Sequence, residues 1–89
     1  MNKKRVLVIG NTTVDHVFRV RARLARDSKL QSESYEVFPG GQAANVAFTL
    51  AFLGLEVLFV GAFGNDDGAN LSREAFEAAG VDLQFSTNV

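Results

Sequence analysis

The sequence predicts an α/β fold: a central, mostly parallel sheet flanked by helices, with a small β flap beside it. Three observations carry this. Apolar runs rich in β-branched and aromatic residues, at Arg5–Ile9, Glu56–Phe63 and from Val81 to Phe85, alternate with helix-period segments, one at Gln42–Leu53 and one that follows the turn at Gly64–Asp67 and runs to about Ala79. Right-handed crossovers between parallel strands produce this order. Between the first run and the first helix, residues 14–38 turn to period-two alternation, the mark of extended chain. Finally, Pro39 to Gly54 reads PGGQAANVAFTLAFLG. This turn opens straight into a helix of small residues and leaves amides bare at its N-terminus, where a polar ligand can sit.

A chain of 89 residues makes one domain at most, and at this size only about 60–65% of the unfolded surface is buried, so the core is thin. With 47% hydrophobic and 21% charged residues the composition is that of a globular protein, with no disordered or low-complexity tract. Nine basic against ten acidic residues give a net charge of -1, which speaks against nucleic acid or an anionic membrane as partner. The lack of cysteine excludes disulfides and thiolate metal sites and fits a cytoplasmic setting. Lys3, Lys4 and Arg5 precede an apolar run, but Val6–Ile9 is too short for the core of a signal peptide. No segment approaches the roughly 20 apolar residues of a membrane span.

Taken in order, Arg5–Ile9 is uniformly apolar after its basic start, the pattern of a strand buried on both faces. Gly10 ends it, and Asn11, Thr12 and Thr13 are turn formers. In the flap, Phe18, Val20, Ala22 and Leu24 fall on one face and Arg19, Arg21 and Arg23 on the other. The arginines read either as the solvated face of an edge strand, where charge discourages pairing with other chains, or as an anion-facing lid. Ala25 to Ser34 is polar and irregular, and Tyr35, Val37 and Phe38 form the returning extended piece. An isolated hairpin is marginal in water, so its apolar face calls for a cover: the body, a ligand or another chain.

In the helix that follows, Val46, Leu50 and Leu53 recur at helical spacing as core contacts, while Ala43, Ala44, Ala47 and Ala51 keep its surface thin for packing on a sheet. Gly54 stops it. Glu56–Phe63 is a second buried strand. Gly64 to Asp67 is a turn in which Asp66 caps the next helix. The core face of that helix is Leu71, Ala75, Phe76 and Ala79, and Gly80 closes it before the strand starting at Val81. The chain reads as a front portion, residues 1–89 forming the N-terminal part of a single α/β domain with the flap at 14–38.

VLVIGNTT invites a dinucleotide-binding reading, but the fingerprint G-x-G-x-x-G needs glycine where Thr12 and Asp15 stand. There is no Walker-type loop either. His16 is the only histidine and has no partner at metal-ligand spacing; with no cysteine beside it, no nucleophilic triad assembles. Three stretches remain: Gly10–Asp15 (GNTTVD), Gly40–Asn45 (GGQAAN) and Gly61–Leu71 (GAFGNDDGANL). In order and spacing they resemble the N-terminal part of the ribokinase or PfkB family of carbohydrate and nucleoside kinases. The resemblance covers essentially the whole chain and is strongest at Gly40-Gly41 followed by Asn45, then Gly54 and Gly64.

The resemblance implies a ribokinase-like fold and a set of substrate-binding residues. Asp15 matches an aspartate that accepts hydrogen bonds from sugar hydroxyls, a task suited to a carboxylate's several lone pairs; a turn or cap aspartate is the plainer reading. Gly41 matches the second glycine of the pair, where a missing side chain admits the substrate and lets the flap hinge. Asn45 matches an asparagine that fixes a hydroxyl, the alternative being a local backbone cap. Asn11, Thr13 and Gln42 stand where further substrate contacts occur. The relative best known for ribose has asparagine in place of Thr13 and lysine in place of Gln42, which leaves the sugar open. ATP and magnesium are the implied cofactors. Their sites, and the catalytic base in a G-A-G-D motif, belong to the family's C-terminal half, so no catalytic, nucleotide-binding or metal-binding residue is expected among these 89. The implied reaction of the whole enzyme is ATP-dependent phosphorylation of a hydroxymethyl group, with the isolated chain inactive and a homodimer through the flap as a second partner besides substrate. The alternative is a non-catalytic binding or dimerisation module.

Overall fold

The structure, a computed structural model, describes residues 4–23, 25, 26 and 29–89. In chain order these form β1 (Arg5–Ile9), β2 (Thr13–Arg19), β3 (Ser34–Gly40), α1 (Gln42–Phe52), β4 (Glu56–Val60), β5 (Ala62–Phe63), α2 (Asp67–Ala78) and β6 (Thr87–Asn88). β1 and β4 pair in parallel with Leu7 opposite Leu58, and β5 pairs in parallel with β6. β2 and β3 form a separate antiparallel ribbon with His16 opposite Val37.

The core lies where α1 and α2 meet the β1–β4 pair. Val8, Ala44, Ala47, Val57, Phe59, Phe63, Phe76 and Val81 are buried together. Phe76 is its centre: its ring stacks on Phe48 at 4.6 Å and on Phe59 at 4.5 Å, and meets Phe63 edge-on at 6.1 Å. Aromatic pairs in these geometries add stabilisation beyond the area they bury. α2 begins with Asp66 at its N-cap, whose Oδ1 accepts from the Ala69 amide at 2.8 Å.

Several expectations require correction. β1 is not buried on both faces: Val8 is, but Leu7 and Ile9 are 57% and 71% exposed, because the described residues place helices against only one side. The flap alternation stops at Arg19, the last residue paired across the ribbon. Beyond it Arg21 turns to an ion pair with Glu33, and Leu24 lies outside the described residues. On α1, Leu50 packs against the core as expected, with Phe48 beside it, but Val46 and Leu53 do not, and the fully buried positions are alanines. Ala44 and Ala47 are fully buried while Val46 and Leu53 are exposed, since close approach of helix to sheet is available only on the small-residue side.

Glu56–Phe63 is not one strand. After Val60 the chain changes partners: the Gly61 amide donates to Ser86 Oγ at 3.2 Å and its carbonyl accepts from Thr87, which starts β5. The expected strand from Val81 to Phe85 shrinks to one bridge, Asp82 beside Leu58. The Asp82 carboxylate takes the Gln84 amide at 2.9 Å, and this local bond bends the chain out of the sheet. On α2, Ala79 is exposed and Ser72 is buried in its stead.

Candidate functional site

The site begins where the chain leaves β1. Asn11 and Thr12 turn it into β2, and the Thr12 hydroxyl donates to the Gly40 carbonyl at 3.4 Å, a long bond that ties the turn to the end of β3. Gly41, the N-cap of α1, has φ 98° and ψ 146°, a conformation that side-chain-bearing residues avoid. A Cβ on Gly41 would stand 3.0 Å from the Asn11 carbonyl oxygen and 3.1 Å from Thr12 Cα and the Thr13 nitrogen. The helix start is therefore pressed against the 11–13 backbone, and only glycine leaves room.

Two residues along β2, Asp15 turns its carboxylate back over Gly40. A Cβ there would lie 2.6 Å from Asp15 Oδ2. Gly40 thus makes the seat on which the carboxylate rests, a role the sequence reading did not assign to it; the doubled glycine was the available signal. Among the described residues the Asp15 side chain has no hydrogen bond or ion pair, and it is exposed. Beside it, α1 has no side-chain cap, so the first amides of the helix still have donors to give.

Direct contacts thus bring together Asn11, Thr13, Asp15, Gly40 and Gly41. Gln42 and Asn45 stand on the first turn of α1, both exposed, and the Asn45 amide donates to the Gly41 carbonyl at 2.9 Å. The Asn45 side chain does not cap the helix. It lines a shallow apolar hollow of about 260 Å³ with Val46, Thr49 and Leu50, and Asp15 is not among the residues that line it. Of the expected residues only Thr13 lines the cleft of about 210 Å³ between the start of β2, β5 and α2. Asp15 and Gln42, on either side of the half-buried Gly41, are exposed. His16 hydrogen-bonds through Nδ1 to the Tyr35 hydroxyl at 2.5 Å across the ribbon.

The described residues do not suit a nucleotide triphosphate with its metal. α2 carries Asp66 and Asp67 at its N-terminus, and the N-terminus of α1 is next to Asp15. Both helix ends that offer amides also offer negative charge, which repels phosphate. No group of three potential metal ligands exists among the described residues.

The chain matches the family model for the pfkB family carbohydrate kinases over residues 3–88. The ATP-dependent ribose-1-phosphate kinase of Halopiger xanaduensis is 39% identical over 80 residues, 90% of this chain and 27% of that protein. The aminoimidazole riboside kinase of Salmonella typhimurium is 39% identical over 85 residues, 96% of this chain and 23% of that protein. Among solved structures, aminoimidazole riboside kinase from Salmonella enterica, complexed with aminoimidazole riboside and an ATP analog, matches with a TM-score of 0.74 at 35% identity, covering 96% of this chain and 25% of its own. The chain thus spans about a quarter of the length of these relatives. With the family model matched over residues 3–88, the chain belongs to the pfkB family of carbohydrate kinases.

Proposed function

We propose that this chain is the acceptor-binding part of an ATP-dependent kinase that phosphorylates a hydroxymethyl group of a sugar or nucleoside. The observation that carries the proposal is the unpartnered Asp15 carboxylate seated on Gly40 beside the uncapped start of α1. A carboxylate accepts from two neighbouring hydroxyls at once, and bare amides donate to a third oxygen. Together they fix the orientation of a polyol, which is the positioning that phosphoryl transfer depends on. Gln42, Asn45, Asn11 and Thr13 are the further contacts this reading uses. The base, the nucleotide and its magnesium belong to other parts of the whole enzyme, which the reading places in the cytoplasm.

Replacing Asp15 by Ala in the whole kinase should weaken acceptor binding by about 1.5–3 kcal/mol, the range for hydrogen bonds to a charged group. Titration calorimetry that finds acceptor affinity unchanged removes Asp15 from the site.

A second reading, a non-catalytic module that dimerises through the ribbon, is favoured by one observation. Phe18 and Tyr35, stacked at 4.6 Å, are both largely exposed on one face of the ribbon.

A further inference from the structure

The pairing of β2 with β3 gives the ribbon two unlike faces. Val14, His16 and Phe18 share one with Pro39, Val37 and Tyr35. This face leans toward α2: Val14 Cγ2 would lie 3.3 Å from a Cβ on Gly68, and a cleft of about 550 Å³ between the two is lined by His16, Tyr35, Asp66 and Leu71 among others. The opposite face carries Thr13, Asp15 and Val17 with Gly40, Phe38 and Glu36. Asp15 is on this second face, as its contact over Gly40 requires.

Phe38 stands directly across from Asp15. Residues so paired have Cβ atoms about 4.5–5.5 Å apart, and Val17 follows on the diagonal, one strand repeat of about 7 Å farther out. Phe38 and Val17 are 45% and 47% exposed and neither belongs to the core or its packed rim. Glu36, opposite Val17, is exposed as well. Beside the carboxylate proposed to hold sugar hydroxyls there is thus an apolar strip with an acceptor at its edge. A free sugar uses the carboxylate and the bare amides and offers the strip only C–H groups, with no planar π-face and no N–H donors. A sugar bearing a planar nitrogen heterocycle offers a π-face to Phe38 and N–H groups to Glu36.

We infer that Phe38 is a specificity-determining residue of the acceptor site: its ring, extended by Val17, is the platform for a planar heterocyclic aglycone whose sugar is held by Asp15. The acceptor class is then nucleoside-like, not free sugar. This rests on the reading of Asp15 given above.

The test is equilibrium binding of D-ribose and of four nucleosides (adenosine, guanosine, cytidine, uridine) to the whole kinase and its variants. Base–aromatic stacking is worth enough that Phe38→Ala should lower affinity for the preferred nucleoside about tenfold or more. Ribose affinity should change by less than about twofold, because stacking is not part of its binding. Phe38→Tyr should restore the nucleoside to near its original affinity. Equal losses for ribose and nucleoside would reduce Phe38 to a support for the ribbon, and no loss for either, or a wild type that binds no nucleoside more tightly than ribose, would overturn the platform. Asp15→Ala separates the two readings. If it leaves every affinity unchanged the acceptor site itself falls, whereas losses for both ligand classes in Asp15→Ala with no selectivity in Phe38→Ala sink the platform alone.

Discussion

Gly41 is the residue on which the site's geometry turns. Its φ of 98° sits where an L side chain is strained, and its Cβ would meet three backbone atoms of the 11–13 turn at 3.0–3.1 Å. Backbone cannot step aside as a flexible side chain can. Gly41→Ala should therefore cost about 1–3 kcal/mol of stability, read by urea unfolding of the 89-residue chain; a change under about 0.5 kcal/mol would mean that the helix start is free to shift. At this scale the sequence was legible where chemistry demands a particular residue type. The Gly40-Gly41 pair and a carboxylate five positions after Gly10 mark the proposed site. What it withheld was contact: Asp15 lies on Gly40 and faces Phe38 only because β2 and β3 pair in one register, and register is a property of two strands, not of either alone.

Elements were readable to the extent that one stretch of chain decides them. The helix period from Gln42, the second helix ending near Ala79 and the cap at Asp66 came through because propensity and capping act within a few residues. The strand from Glu56 broke because a distant partner intervened, Ser86 drawing away the Gly61 amide, and the strand from Val81 broke because the Asp82 carboxylate takes Gln84 in a local bond that competes with the sheet. The element that holds the others is α2. It delivers Phe76 between Phe48 and Phe59, and Arg73 on the same helix reaches the Gly64 carbonyl at 2.9 Å and Asn88 Oδ1 at 2.6 Å, tying it to β5 and β6. Phe76→Ala removes a fully buried ring and should destabilise by about 3–5 kcal/mol, most of the stability of a small domain. Thermal unfolding followed by circular dichroism should show the variant unfolded or nearly so near room temperature. A midpoint close to that of the unaltered chain would place the core elsewhere.

At the scale of the molecule the shape is extended, 57 × 29 × 19 Å with a radius of gyration of 16.4 Å, where a compact chain of this length has about 12 Å. Its accessible surface of 6851 Å² exceeds the roughly 5,100 Å² expected for its mass. The excess is in part apolar: Leu7 and Ile9 on β1, Phe52 and Leu53 at the end of α1, and Phe85. Such patches mark surfaces that bind something, and they support the proposal that these residues work as one part of a larger kinase. Purified residues 1–89 should then show no turnover in a coupled assay with ATP, magnesium and a panel of sugars and nucleosides. Sustained turnover would place base and nucleotide site within this chain. Sedimentation velocity on the same sample addresses the second reading: a stable dimer that Phe18→Ser dissociates, together with no acceptor binding in the whole kinase, would favour the module over the enzyme part.

The sequence by itself determined the fold class, the two helices and the strands that begin at Arg5 and Glu56, the capping of α2 by Asp66 and the family, because each rests on local periodicity, on turn chemistry or on residue types at set spacings. Only the tertiary structure decided that Gly40 seats the Asp15 carboxylate, that Phe38 stands opposite it, that Ala44 and Ala47 are the fully buried positions of α1 while Val46 and Leu53 are exposed, and that β1 leaves one face bare. Those facts depend on strand register and on how closely helix approaches sheet, and both are settled by contacts between segments distant along the chain.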